Sequence, residues 1–89
     1  MIEREVEIVN RLGLHARAAA KLVHLAGSFR SGVTLVQDGD EVDAKSILGI
    51  LLLAAGQGSR LAVRCDGPDE EEAMAAITGL IAGRFGEEA

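Results

Sequence analysis

The chain has neither tyrosine nor tryptophan and only two phenylalanines in 89 residues. It therefore lacks the stacking platforms on which single-strand binders lay their bases. Positive charge is also scarce: 9 Lys and Arg stand against 14 Asp and Glu, a formal net charge of −5. Such a chain has no electrostatic pull on phosphate backbones or anionic lipid, so nucleic acid is an unfavourable partner. Cys65 is the one cysteine. It can form no internal disulfide and, with two distant histidines, no zinc site, so it reads as a buried strand residue and no metal or cofactor is expected. The longest apolar run, Ile47 to Gly56, falls far short of the ~20 residues of a membrane helix, which argues against direct membrane insertion. The opening MIEREVEIVN carries three glutamates and no signal-type apolar core. A cytoplasmic protein with one domain over residues 1–89 is expected, since a chain this short has room for a single core.

What is present is strong patterning. Ile2, Arg4, Val6 and Ile8 alternate with Glu3, Glu5 and Glu7, the period of a strand with one wet face. After Asn10–Gly13 the spacing becomes helical: Ala16, Ala19, Ala20, Val23 and Ala26 predict a buried stripe on a helix ending near Gly27. Val33–Gln37, the turn Asp38-Gly39-Asp40 and Glu41–Asp43 predict a hairpin. Ser46 heads a short apolar helix closed by Gly56-Gln57-Gly58, and Ser59–Cys65 alternates as a further strand. Asp69 with Glu72 three places on predicts a capping box for a last helix, buried through Ala73, Ala76, Ile77, Leu80 and Ile81. The order β-α-β-β-α-β-α implies an α+β domain with helices on one side of an antiparallel or mixed sheet.

Two places carry chemistry. In RLGLHARAAAKL, His15 stands at the head of a helix with Arg17 beside it. A helix head offers N–H groups without internal acceptors and partial positive charge, a ready site for an anion, and imidazole is a competent nucleophile toward phosphorus near neutral pH. A solvated loop histidine is the plain alternative. Gly13, Arg17 and the small Ala16, Ala18 and Ala19 weigh against it, while His24 reads as a solvated residue. Ser46 reads first as an N-cap. Yet Ile47, Leu48, Ile50, Leu51, Leu52 and Leu53 cannot all face inward from two turns, so some must form an exposed docking patch.

Gly13-Leu14-His15-Ala16-Arg17 together with Lys45-Ser46-Ile47 and Gln57-Gly58 resembles the HPr family, the histidine-containing phosphocarriers of the bacterial phosphoenolpyruvate-dependent sugar phosphotransferase system. The likeness runs over almost the whole chain. It implies an open-faced β-sandwich, a four-stranded antiparallel sheet with three helices on one face, and a monomer. It further implies that His15 accepts a phosphoryl group on Nδ1 from enzyme I and passes it to a histidine of a IIA domain. Arg17 and the amides of Ala16, Arg17 and Ala18 would hold the phosphoryl oxygens. By the same likeness Ser46 is the serine modified by an HPr kinase/phosphorylase, and Ile47, Leu48 and Leu51 with Ala20 form the docking patch. Acting as a substrate of partner kinases, such a carrier is not a self-contained enzyme. One departure stands out, Ala18 where the family usually has proline. It leaves open a nitrogen-type regulatory phosphorelay without a transport role, and a binding module that carries no phosphate is the alternative of another class.

Overall fold

The computed structural model describes residues 1–89. The elements run β1 (Ile2–Glu7), α1 (Ala16–Gly27), β2 (Gly32–Gln37), β3 (Asp40–Asp43), α2 (Ile47–Leu53), β4 (Arg60–Asp66) and α3 (Glu70–Ala82), and a short turn, Arg84–Gly86, follows. The sheet is antiparallel throughout in the order β1-β4-β2-β3, and the helices cover one face. This is the open-faced α+β sandwich expected from the family resemblance.

Register explains the two faces. Val6 pairs with Leu61, Ile2 with Cys65, Leu35 with Val63 and Val33 with Cys65. Residues directly opposite each other point to one side of the sheet, so these side chains make a common inner layer. Val33, Leu35, Leu61, Val63 and Cys65 are at most 1% exposed, closed over by Leu22 from α1, Ile50 from α2 and Ile77 and Ile81 from α3. Arg4 falls on the inner side by register, yet it is exposed because β1 is an edge strand. Glu3, Glu5 and Glu7 take the outer face, where Arg60 bonds Glu5 and Arg64 bonds Glu3 and Glu41. Exposed pairs of this kind are worth at most about 1 kcal/mol each. They decorate the sheet; the buried layer stabilises it.

The hairpin turn is tighter than its sequence suggests. Asp38 (φ 50°) and Gly39 (φ 85°) alone form the loop, and Asp40 already pairs with Gln37. Positive φ at both loop residues matches the natural twist of the strands.

Two helix expectations need correction. The buried face of α1 is Ala18, Ala19, Leu22 and Ala26, while Ala16 and Ala20 are exposed and Val23 is half-buried. Among consecutive alanines apolar contrast is absent, so packing of the larger Leu22 sets the rotation. Nor does Asp69 cap α3 with its side chain. Its carboxylate accepts from the N–H groups of Arg30 and Ser31 and from the Ser31 hydroxyl, and Glu70, not Glu72, reaches back to the Gly67 N–H. On that helix Met74 is buried, whereas Ala76 and Leu80 are half-buried.

Candidate functional site

Three backbone features bring the His15 region together. Gly13 adopts φ +67°, and a Cβ there would lie 2.6 Å from the Ala55 carbonyl oxygen, so only glycine fits so close to the end of α2. Leu14 then donates its N–H to that same carbonyl at 2.9 Å and buries its side chain. His15 follows in extended conformation (φ −73°, ψ 176°) as the N-cap of α1, whose first turn holds no acidic side chain.

The imidazole is held from both sides. Its Nδ1 accepts from the Arg17 N–H at 3.3 Å, and its Nε2 lies 2.5 Å from Glu87 Oε2. An N–H can only donate and a carboxylate can only accept, so this pair of partners assigns the neutral tautomer with hydrogen on Nε2 and a lone pair on Nδ1. That lone pair points toward the open end of the helix. The first intrahelical bond of α1 is Ala19 N–H to the His15 carbonyl, and the N–H groups of Ala16 and Ala18 have no acceptor within the chain. A cleft of ≈ 610 Å³ opens over the ring between Arg11, Leu12, Ala16, Arg17 and Ala89. The place is therefore fit for an anion beside a nucleophilic nitrogen.

Glu87 was not legible in the sequence, where it sits in an unpatterned acidic tail. The chain returns it to His15 through the turn Arg84–Gly86, whose residues all have positive φ. For Arg84 and Phe85 this is a strained conformation. Burial of Phe85 (0% exposed) and a hydrogen bond from Lys21 Nζ to its carbonyl at 2.5 Å oppose that strain. Ala89 accepts from the Arg11 N–H at 2.9 Å and fastens the end of the tail. The His15 ring and then the buried Asn10, both donating, hold the Glu87 carboxyl below the usual carboxylate range.

Ser46 caps α2 by accepting from the Gly49 N–H at 3.2 Å. Lys45 Nζ bonds the Phe29 carbonyl and ties this loop to the residues just after α1. Gln57 Nε2 donates to the Val9 carbonyl at 3.3 Å, and the Gly58 N–H to that of Ile8 at 2.7 Å, so this motif joins the two loops that carry the site. Of the residues in α2 only Ile50 is buried, while Ile47, Leu48 and Leu51 are 43%, 64% and 38% exposed. Leu52 (73%), one of the six apolar residues from which an exposed patch is expected, and Leu12 (67%), which is not among them, are exposed as well. Ala20 is exposed on α1, which packs against α2. No group of His, Cys, Asp or Glu is arranged to hold a metal, and no helix is long and apolar enough to cross a membrane.

Comparison with known proteins gives one pattern. Residues 2–83 match the family described as the phosphotransferase-system HPr component phosphorylation site. The chain is 58% identical over 87 residues to phosphocarrier protein HPr of Cupriavidus necator, covering 98% of both chains. To phosphocarrier protein NPr of Shewanella violacea it is 43% identical over 86 residues, covering 97% of this chain and 94% of the relative. The crystal structure of HPr from Thermoanaerobacter tengcongensis superposes with a TM-score of 0.96 at 45% identity, with all of both chains covered.

Proposed function

The chain belongs to the HPr family of phosphotransferase-system phosphocarriers, and from that premise we propose that His15 accepts a phosphoryl group on Nδ1 from enzyme I charged by phosphoenolpyruvate, and delivers it to a histidine of a IIA domain. The observation that carries this reading is the double hold on the imidazole, which leaves its lone pair on Nδ1 among unpaired helix-head amides. When phosphorus bonds to Nδ1, the Arg17 N–H loses that acceptor and is free to turn to a phosphoryl oxygen beside the N–H groups of Ala16 and Ala18. The Arg17 guanidinium would supply charge-assisted bonds to the remaining oxygens. No step requires the carrier to hold a metal or a cofactor.

The exposed face of Ile47, Leu48 and Leu51 with Ala20 is the docking patch in this reading, and phosphorylation of Ser46 by an HPr kinase/phosphorylase would regulate docking. The protein would work in the cytoplasm, as a monomer between encounters.

Incubation with enzyme I and phosphoenolpyruvate, followed by mass spectrometry, tests the proposal. One acid-labile phosphoryl group, absent from His15→Ala while His24 remains available, is expected. A folded wild-type chain that takes none is a binding module instead. The likeness to an NPr supports a second output, a nitrogen-type relay. Offering the phosphorylated chain to IIA domains of sugar permeases and to a nitrogen-type IIA domain separates the two outputs by which one takes the phosphate.

A further inference from the structure

We propose that Glu87 is a positioning residue for phosphoryl transfer, the middle member of a hydrogen-bond relay that runs from the Gly13 carbonyl through Asn10 to His15 and, together with the Arg17 N–H on Nδ1, holds the ring with Nδ1 as its nucleophile. The proposal rests on the phosphocarrier reading and adds to it the residues that set the chemistry of the ring.

The relay has one direction only. Asn10 is wholly buried and donates both hydrogens of Nδ2, one to the Gly13 carbonyl at 2.8 Å and one to Glu87 Oε1 at 3.0 Å. Its own oxygen is buried without a partner. Turning the amide over would set that oxygen against the Gly13 carbonyl, acceptor against acceptor, so the backbone fixes the orientation of Asn10. Asn10 therefore presents a donor to position 87, and His15 presents Nε2 to the same side chain. A carboxylate has two acceptor oxygens and satisfies both, Oε1 toward Asn10 and Oε2 toward His15. The hydrogen is thereby kept on Nε2, and Nδ1 keeps its lone pair.

The same arrangement serves both directions of transfer. In the inward step the Nδ1 lone pair forms the N–P bond as the bond from phosphorus to the donor breaks, and that electron pair leaves with the donor. Nε2 keeps its hydrogen, the ring becomes a phosphorylated imidazolium, and the Glu87 carboxylate faces the new positive charge. In the outward step a nucleophile of the acceptor forms a bond to phosphorus, the Nδ1–P bond breaks and its electrons return to Nδ1. A neutral imidazole leaves, still protonated on Nε2. His15 exchanges no proton in either direction.

Glutamine at this position could not do the same, because its amide offers one acceptor and one donor. With its oxygen on Asn10, its NH₂ would face Nε2 while the Arg17 N–H still faces Nδ1, and the side-chain donor, at the shorter of the two contacts, would draw the hydrogen to Nδ1. Alanine removes the acceptors without adding a donor. The expected order of transfer rates is therefore wild type, then Glu87→Ala, then Glu87→Gln, the reverse of what similarity of shape would give.

The experiment is nitrogen NMR of ¹⁵N-histidine-labelled protein above the titration range of the ring, alongside phosphorylation by enzyme I and phosphoenolpyruvate. Hydrogen on Nε2 of His15 is expected in the wild type and, held there by the Arg17 N–H on Nδ1 alone, in Glu87→Ala. In Glu87→Gln it should move to Nδ1, with phosphorylation slowed roughly tenfold to a hundredfold, the size of loss typical when a hydrogen-bond partner that orients a metal-ligating histidine is removed. Hydrogen remaining on Nε2 in Glu87→Gln, or transfer slower in Glu87→Ala than in Glu87→Gln, would overturn the relay. The NMR result is read before any phosphate is added, so it stands apart from the phosphocarrier reading. That reading fails only if the wild type takes no phosphate.

Discussion

Ser31 and Asp69 bind each other three times, through the Ser31 N–H at 2.9 Å, the Ser31 hydroxyl at 2.6 Å and a return bond from the Asp69 N–H to that hydroxyl at 3.2 Å. These bonds join the loop after α1 to the start of α3. The Ser31 hydroxyl first, then the Arg30 N–H, lower the Asp69 carboxyl from 3.8 to about 2. A depressed carboxylate contributes stability that is complete above its unfolded value and fades as pH falls through its folded one. Asp69→Ala should thus lower the melting temperature at pH 7 and at pH 5. The gap from wild type should narrow between pH 4 and pH 2, and a gap independent of pH would mean that ionisation of Asp69 adds nothing.

Arg17 is exposed, and its guanidinium bonds no group of the chain, so its truncation should leave the melting temperature nearly unchanged. Charge-assisted hydrogen bonds are worth about 1.5–3 kcal/mol, so Arg17→Ala should slow phosphorylation of His15 by roughly tenfold to a hundredfold. Stopped-flow or quench kinetics with enzyme I checks this. An unaltered rate would show that the helix-head amides suffice.

Ala18 stands in the first turn of α1, and its N–H has no acceptor within the chain. Proline suits such a position for stability, since the donor it removes has no partner in the unphosphorylated chain and its ring limits the unfolded chain. Ala18→Pro should add about 0.4–1 kcal/mol of stability in a denaturant titration. A loss would mean that the ring does not fit the buried space around this fully enclosed residue.

Ser46 heads α2 with Ile47, Leu48 and Leu51 exposed directly behind it. Negative charge at a helix head is favourable by about 0.3–1 kcal/mol, so Ser46→Asp should hold or raise the melting temperature. Docking should suffer, because stripping water from a charge beside an apolar face costs at least about 1 kcal/mol when no cation meets it. The enzyme I concentration needed for half-maximal phosphorylation should rise severalfold. Unchanged kinetics would leave Ser46 as a cap alone.

The sequence carried those parts of the fold that local chemistry dictates. The glutamate alternation of β1, the Asp38-Gly39 turn and the Ser46 cap each depend on residues within a few places of one another. Asp69 misled because its carboxylate had a competitor far away in sequence: a capping box was legible, but Ser31 was not visible as a rival. The rotation of α1 was hidden because Ala16, Ala18, Ala19 and Ala20 differ in burial and not in chemistry. For the site, His15 and Arg17 were legible from their place at a helix head. Glu87 was not, since only the strained turn at Arg84–Gly86 and the buried Phe85 bring it across 72 positions of chain.

The strand order has a kinetic consequence. Central β4 bonds β1 through pairs as remote as Ile2 with Cys65, and it bonds β2 on its other side. The chain must close these long loops before most of its inner layer is rewarded by burial, and the entropy of closure is lost first. Folding of such topologies runs slower than that of local helical bundles, typically about milliseconds or longer where bundles need microseconds to milliseconds. The helices can flicker into shape early without committing the molecule. The committing event is the arrival of residues 60–66 between two strands that were made long before them.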